Sequence, residues 1–396
     1  MKPADAPAAE TRSASAAKET FMLRSFSFFS YTTTAVVVSY FPLYFLDRGF
    51  TEQQIGIIYS TGPFISIFAN LLTGMISDKY RTIKKLLMLL LLGQLAMIAL
   101  LFPLDQFALI CAAMIGFYFF QTPVNPLTDS LILLSVRHTG VPFTLVRIFG
   151  SLGFASAALL LGLLLKEIGS EWTLAVALAT IGITFGLSAL LKDYSGSLRK
   201  IEFSGFFRII RQPDLLIFFT LVFIFSVVHR LNEGFLAVMM RQMGASDALV
   251  GAAWMISAVS EIPVFYLLGK YGHKFRELPL LFIASLLYAL RFLLLGQVRQ
   301  PEWFVVIQAM HSVTFGIYYT TALRYLSGVI PDEYRSSGLA VYTIVWAGFA
   351  GIASGIVGGY VYQHFGRGLF FDLGAALALI AAAGFLAKHW ADRRAG

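Results

Sequence analysis

Long, continuously apolar stretches recur along the whole chain and are separated by short polar connections. Because a helix needs about 20 apolar residues to cross the hydrocarbon core of a bilayer, each stretch is long enough to cross once. Unbroken apolar runs are typical of membrane helices, whereas barrel strands alternate. The stretches run over about 22–46, 53–76, 85–104, 106–135, 144–165, 172–191, 215–239, 248–268, 279–296, 303–328, 338–362 and 369–389. The pattern predicts an all-α membrane protein with twelve transmembrane helices.

One polar connection, longer than the others, divides this series of apolar stretches near its midpoint. The longest internal connection, residues 192–214, separates two six-helix bundles at 21–191 and 215–390. Gly49, Gly56 and Gly74 recur 195 residues later as Gly244, Gly251 and Gly269. An internal repeat of two six-helix halves is typical of transporters. Residues 1–20 are predicted to be a disordered cytoplasmic tail, and residues 391–396 a second cytoplasmic tail.

Composition supports the membrane interpretation, since 58% of the residues are hydrophobic and 13% are charged. Soluble domains average about 25% charged residues. A soluble enzyme, a nucleic-acid binder and a secreted scaffold are therefore excluded. The sequence has no Walker A sequence, His/Cys metal cluster or nucleophile elbow, so we expect no enzyme activity, no cofactor, no metal and no nucleic-acid partner.

Charge sets the expected orientation. Most of the 30 Lys and Arg residues fall in connections on one side of the predicted membrane, and the net charge is +8. The positive-inside rule assigns that side to the cytoplasm. We therefore expect a monomer in the cytoplasmic (inner) membrane with both termini cytoplasmic.

Polar residues follow one face of three otherwise apolar segments. An ionisable residue at the centre of a membrane helix costs about 2.5–3.5 kcal/mol, so it faces a partner or a wet cavity. Helical spacing aligns Gln121, Asn125, Thr128 and Asp129; Ser226, His229, Arg230 and Glu233; and Gln308, His311, Thr314 and Tyr318. These faces predict one central polar cavity between the bundles. Arginines in such a cavity favour an organic anion or a polyhydroxyl solute.

Structural roles remain as alternatives for several of these residues. The pairs Glu261–Arg291 and Glu233–Arg230 could be ion pairs without a ligand. Arg324 could extend towards the membrane interface, and His229 could be a hydrogen-bonded interhelical residue.

The connection after the second segment reads Gly74-Met-Ile-Ser-Asp78-Lys79-Tyr-Arg81-Thr-Ile-Lys84-Lys85. It resembles the signature loop of the major facilitator superfamily, G-x-x-x-D-R/K-x-G-R-R. That resemblance implies a gating motif made of Gly74, Asp78, Lys79 and Arg81, in which Gly74 lets neighbouring helices approach. Arg81 stands where the family has glycine. The alternative is a basic loop that only sets topology.

Further residues resemble the lactose-permease-like and phenylpropionate-permease-type proton symporters of this superfamily. Asp129 is followed 18 residues later by Arg147, and the second half carries Glu261, Arg291 and His311. The symporters have a glutamate where Thr314 stands. Together with the polar faces, the resemblance implies a substrate site formed by Asn125, Asp129, Arg147, Phe154, His229, Arg230, His311 and Tyr318. It implies proton coupling by Glu233, Glu261, Arg291 and His311.

The function expected from the sequence is secondary active transport of a small polar or anionic organic solute by alternating access, with proton symport. Two alternatives remain open. The first is a proton-driven exporter of the same fold, and the second is a membrane receptor or lipid-handling protein that does not transport solute.

Overall fold

The computed structural model describes residues 6–193, 212–331 and 334–395. The side chains of residues 6–15, 78, 137, 335–337 and 395 are outside this description. Residues 1–5, most of the predicted 192–214 linker and the Asp78 side chain therefore lie outside the described part of the chain.

Helices account for almost all of the described chain and follow the twelve predicted segments. They are α1 (Ala6–Ser39, continued by Phe41–Asp47), α2 (Glu52–Tyr80), α3 (Lys84–Leu101), α4 (Phe107–Gln121 and Val124–Thr139), α5 (Phe143–Ile168), α6 (Thr173–Leu190), α7 (Pro213–Gln242), α8 (Asp247–Tyr271), α9 (Glu277–Gln297), α10 (Glu302–Gln308 and Ile317–Val329), α11 (Arg335–Thr343, continuing past residue 350) and α12 (the second part of Ala350–Ala395). The helix Ala350–Ala395 bends at Gly366, where φ is 76°, and this bend separates α11 from α12.

Nine helices within the described ranges are long and apolar enough to cross a membrane. The count differs from twelve for physical reasons. α1 is rich in Ser and Thr, α10 is divided by the π-helical turn Ser312–Gly316, and α11 and α12 run together through Gly366. The fold is thus an all-α membrane fold that is compatible with twelve passes.

The amino-terminal segment differs from the sequence expectation. α1 begins at Ala6, so residues 6–20, which composition predicts to be disordered, are helical. The segment contains several alanines, and alanine has the highest helix propensity of all residues. Glu19 is buried and pairs with Lys192, 2.7 Å between Oε2 and Nζ, which holds this segment against the chain after α6.

The described chain forms two compact units. Unit 1 comprises residues 1–37, 65–158 and 171–198, and unit 2 comprises residues 38–64, 159–170 and 199–396. The ends of α1, α2 and α5 thus pack with the second half of the chain. The two six-helix bundles stay a prediction from the sequence.

A close approach of α1 and α5 positions one of the predicted site residues in unit 1. A Cβ added at Gly153 would lie 2.1 Å from the backbone oxygen of Phe28, so only glycine allows this distance between the helices. One turn earlier, a Cβ at Gly150 would lie 2.7 Å from the ring of Tyr31. These two glycines allow α1 to bring Tyr31 next to Arg147.

We expect Gly153→Ala to lower the thermal unfolding temperature of the purified protein, because the added methyl forces α1 and α5 apart at a cost of about 1–3 kcal/mol. Gly186→Ala in α6 is the matched control, since nothing lies within 4 Å of a Cβ there. The control should gain stability slightly, by the helix propensity of alanine. Equal unfolding temperatures for the two variants would contradict the close approach.

Candidate functional site

Asp129 on α4 and Arg147 on α5 form an ion pair in unit 1, with 3.0 Å between Oδ1 and Nε. The Arg147 guanidinium also lies over the Tyr31 ring, 4.1 Å from its centroid, and donates to the Tyr31 hydroxyl. Both side chains of the pair keep about a third of their surface exposed, 34% for Asp129 and 27% for Arg147. The predicted contact between these two residues is confirmed, and its exposure leaves the charges accessible to a solute.

Asn125 lies one helical turn before Asp129 on the same face of α4. Its Oδ1 accepts a hydrogen bond from Ser30 Oγ at 2.9 Å, and its Nδ2 donates to Thr34 Oγ1 at 3.2 Å. Phe154 lies seven residues after Arg147, so both side chains point to similar sides of α5, and it is half-buried. Asn125 is thus about 6 Å and Phe154 about 10 Å from the Asp129–Arg147 pair along their own helices.

The polar face of α7 forms a second cluster, in unit 2. Arg230 Nη1 donates to Glu233 Oε2 at 2.7 Å, and His229 Nε2 lies 3.3 Å from Glu233 Oε1. Tyr288 on α9 meets the other nitrogen of His229, with 3.0 Å between its hydroxyl and Nδ1. Glu233 and Arg230 thus form an ion pair, and Glu233 has two donors on its own helix.

A third pairing joins α8 to α10. His311 Nε2 lies 3.0 Å from Glu261 Oε1, and His311 Nδ1 lies 3.2 Å from Arg291 Nη1. Because an arginine only donates hydrogen bonds, Nδ1 accepts, and a neutral His311 carries its proton on Nε2, towards Glu261. The alternative of a direct Glu261–Arg291 pair is not what the structure shows, since His311 lies between them.

Arg291 on α9 is completely buried. It donates to Thr314 Oγ1 at 3.2 Å and to the side-chain oxygen of Gln308. Thr314, which stands where the symporters have a glutamate, therefore gives Arg291 a neutral acceptor. The nearest carboxylate in this chain of contacts is Glu261, reached through His311.

Aromatic rings join the two histidine clusters. The His229 and His311 rings are 5.6 Å apart, and Phe315 stacks against both at 4.7 and 5.0 Å. Trp346 stacks on His229 at 4.9 Å. His311 immediately precedes the π-helical turn Ser312–Gly316, and Trp346 lies inside a second one, Ile344–Phe349. Such π-helical turns are frequent at functional sites.

Sequence reasoning missed three residues of this cluster. Tyr288 lies three residues before Arg291, on the same face of α9, and this spacing could have identified it. Phe315 and Trp346 are apolar residues in apolar segments, so no sequence signal distinguishes them from ordinary core residues.

Tyr318 does not lie where a solute-binding side chain is expected. It is completely buried, and its ring stacks on Phe225 with 3.5 Å between centroids. The hydroxyl-bearing ring is enclosed by aromatic neighbours rather than facing a cavity. Direct contact between Tyr318 and a solute has no geometric support, and the residue fits an aromatic core.

Arg324 on α10 contacts the chain at the beginning of α9. Its Nε donates to Glu277 Oε1 at 2.8 Å and its Nη2 to the backbone oxygen of Phe275 at 2.9 Å. It therefore fastens α10 to the beginning of α9. Within the described ranges, no group of three or more His, Cys, Asp and Glu side chains could hold a metal ion.

The loop between α2 and α3 corrects one expectation about the gating motif. A Cβ at Gly74 would have nothing within 4 Å, so this glycine is not needed for a close helix approach in this conformation. Lys79 Nζ lies 5.5 Å from the centroid of the neighbouring Tyr80 ring. The loop is held by Asp193 Oδ1, which accepts from the backbone nitrogens of Ile83 at 3.0 Å and Lys84 at 3.1 Å.

Arg81 adopts a backbone conformation that suits glycine. Its φ is +50°, and no other non-glycine residue in the described part of the chain has a positive φ. L-residues are disfavoured there by about 1–2 kcal/mol. The positive φ explains why the superfamily motif has glycine at this position. The backbone of Arg81 is strained here, because arginine carries a Cβ.

Ion pairs and histidine networks inside membrane helices are typical of membrane transporters. The chain belongs to the MFS_1 like family, whose model matches residues 20–373. The resemblance to the major facilitator superfamily that the sequence motifs suggested is thereby confirmed.

Relatives with a known or assigned role can be aligned with most of the chain. A "Probable 3-phenylpropionic acid transporter" of Escherichia coli (strain K12) is 27% identical over 362 residues, 89% of this chain and 92% of the relative. A "Maltose permease" of Geobacillus stearothermophilus is 27% identical over 331 residues, 81% of this chain and 82% of the relative. The crystal structure of the nucleoside transporter NupG has a TM-score of 0.84 at 16% identity, with 93% and 98% of the two chains covered, and shares the fold.

We expect Arg81→Gly to raise the thermal unfolding temperature, because glycine removes the strain of positive φ, worth about 1 kcal/mol. Arg81→Val, which adds a β-branched side chain at the same backbone position, should lower it. Arg81→Lys keeps the charge and the strain and serves as the control. A loss of stability in Arg81→Gly would contradict the left-handed conformation.

Proposed function

We propose that this membrane transporter carries a small polar or anionic organic solute together with protons by alternating access. The observation that carries the proposal is the Glu261–His311–Arg291 network within membrane helices. Such an arrangement is costly in a protein with a purely structural role, because each charge in the hydrocarbon region has to be offset. The named relatives, which transport or are assigned to transport phenylpropionate, maltose and nucleosides, support transport of a small organic solute.

Solute recognition is assigned to the Asp129–Arg147 pair in unit 1. The arginine fork binds carboxylates, phosphates and hydroxyl oxygens, and the carboxylate accepts from solute hydroxyls. Tyr31, stacked on the guanidinium, keeps Arg147 in one orientation. Preorganisation of this kind reduces the entropy lost when a solute binds.

The coupling proton is assigned to Glu261. Glu233 has two donors, Arg230 and His229, and both contacts weaken when its charge is neutralised. His311 accepts from Arg291 through Nδ1, so a second ring proton would point at the arginine. Glu261, in contrast, has His311 as its one hydrogen-bonding partner among the described residues, and it keeps 19% of its side chain exposed. It can therefore gain a proton with the least disruption of the network.

We expect Asp129→Asn and Arg147→Gln each to abolish uptake, because each removes one half of the solute-binding pair. Uptake of labelled maltose, uridine and 3-phenylpropionate into proteoliposomes provides the measurement. Ser130→Ala is the matched control, because its hydroxyl bonds only to Pro126 O of its own helix and lies outside the pair. If both charge variants retain the uptake of the native protein, the solute site is elsewhere.

We expect Glu261→Gln to lose accumulation driven by a pH gradient but to retain solute exchange at equal concentrations, since exchange requires no net release of protons. Counterflow and pH-gradient uptake are compared in the same proteoliposomes. Glu302→Gln, at the exposed start of α10, controls for the loss of a carboxylate. Intact gradient-driven uptake in Glu261→Gln and in Glu233→Gln would contradict the assignment.

The same measurements separate the alternatives. An exporter takes up solute into inside-out vesicles when the lumen is acidic, whereas the proposed symporter accumulates it in right-side-out vesicles when the outside is acidic. A receptor binds the solute and shows no counterflow.

A further inference from the structure

A small polar pocket in unit 1 has, apart from Asn125, no role in the function described so far. It lies among α1, α3, α4 and α6, and its polar lining includes Ser30, Thr34, Gln94, Gln121, Asn125 and Thr184. These side chains carry no formal charge. The pocket has room for a group of about the size of a water molecule.

Part of the hydrogen-bonding capacity in this pocket is unused. The Gln121 amide makes no hydrogen bond to any residue in the described part of the chain, although it can donate two and accept two. Gln94 donates from Nε2 to the backbone oxygen of Phe120 at 3.3 Å, while its side-chain oxygen has no partner among those residues. These amide groups therefore offer donors and acceptors to any hydrogen-bonding group that enters the pocket.

The pocket and the Asp129–Arg147 pair share two helices. On α4, Gln121, Asn125 and Asp129 are four residues apart, so successive side chains on this face are about 6 Å apart along the axis. On α1, Ser30 at the pocket precedes Tyr31, which contacts Arg147. A solute bound by the charged pair therefore has an uncharged polar pocket within reach, at about 6–12 Å along α4.

We propose that this pocket receives a hydroxyl group of the transported solute, so that the solute class is hydroxylated rather than aryl-apolar. The inference rests on the proposed function, since it takes the Asp129–Arg147 pair as the neighbouring part of the same site. A phenyl ring is too large for the pocket, and it would leave the two glutamine amides without partners. A site built to hydrogen bond a hydroxyl discriminates strongly against an analogue that lacks it.

Binding to the purified protein by calorimetry tests the inference with four probes. D-gluconate and 3-phenylpropionate share a carboxylate and differ in whether the remainder is hydroxylated or aromatic, and maltose and uridine are uncharged and hydroxylated. At least one hydroxylated probe should bind at least about tenfold more tightly than 3-phenylpropionate. Tighter binding of 3-phenylpropionate, or no binding of any hydroxylated probe, overturns the inference.

Variants then locate the bound hydroxyl. Gln121→Leu and Asn125→Leu should weaken binding of the hydroxylated probe by about tenfold or more. Gln121→Met, which keeps the side-chain length, gives the same test if the leucine variant does not fold. Ser285→Ala in α9, where a buried hydroxyl bonds to Leu281 O, is the control and should bind normally. Unchanged binding in the glutamine and asparagine variants overturns the inference.

The results distinguish a failure of the pocket inference from a failure of the transport proposal. A hydroxylated probe that binds through Gln121 but shows no counterflow contradicts transport and leaves the pocket assignment intact. Counterflow of 3-phenylpropionate that is unaffected by Gln121→Leu supports transport and removes the pocket from the solute site.

Discussion

The lack of water in the hydrocarbon core is the constraint on which the other features depend. A charge or a polar group that enters a membrane helix has to find its partner inside the protein. Arg291 illustrates the constraint, because its completely buried guanidinium is held by neutral acceptors on α10. The His311 ring connects the guanidinium to the Glu261 carboxylate, and the Glu233 carboxylate also interacts electrostatically with Arg291. Arg291 therefore links three helices, and the contacts that satisfy its charge also hold these helices together.

Helical periodicity predicted contacts that lie on one helix or across one short loop. Arg230 and Glu233 meet because three residues are almost one turn. Asp129 and Arg147 meet because α4 and α5 are antiparallel and joined by a short connection. The Glu261–His311 contact depends instead on how α8 packs against α10. Periodicity along each helix contains no information about that packing, so the sequence offered Arg291 as a partner of Glu261 and did not identify His311.

The pattern of residues likewise did not predict the backbone conformation of individual positions. The departure from the superfamily motif at Arg81 was visible in the sequence, but the positive φ that explains the usual glycine was not. Gly74 matched the motif, and yet its surroundings are open. In contrast, Gly56 from the internal repeat contacts α11 so closely that a Cβ would lie 2.2 Å from Gly355 O. A motif thus identifies a position, while the three-dimensional neighbours determine why the residue is there.

The chemistry of the two units supports different roles for them. The pocket and pair in unit 1 combine one carboxylate and one guanidinium with uncharged hydroxyls and amides, groups that recognise a solute by hydrogen bonds. The unit 2 cluster contains both histidines and two carboxylates, and its rings stack within 6 Å of each other. Protonation of Glu261 removes the charge that faces His311 Nε2 and so weakens the hydrogen-bonded link between Arg291 and this carboxylate. A proton there changes the electrostatic balance of three helices at once, whereas a proton on an isolated surface carboxylate would change little beyond its own side chain.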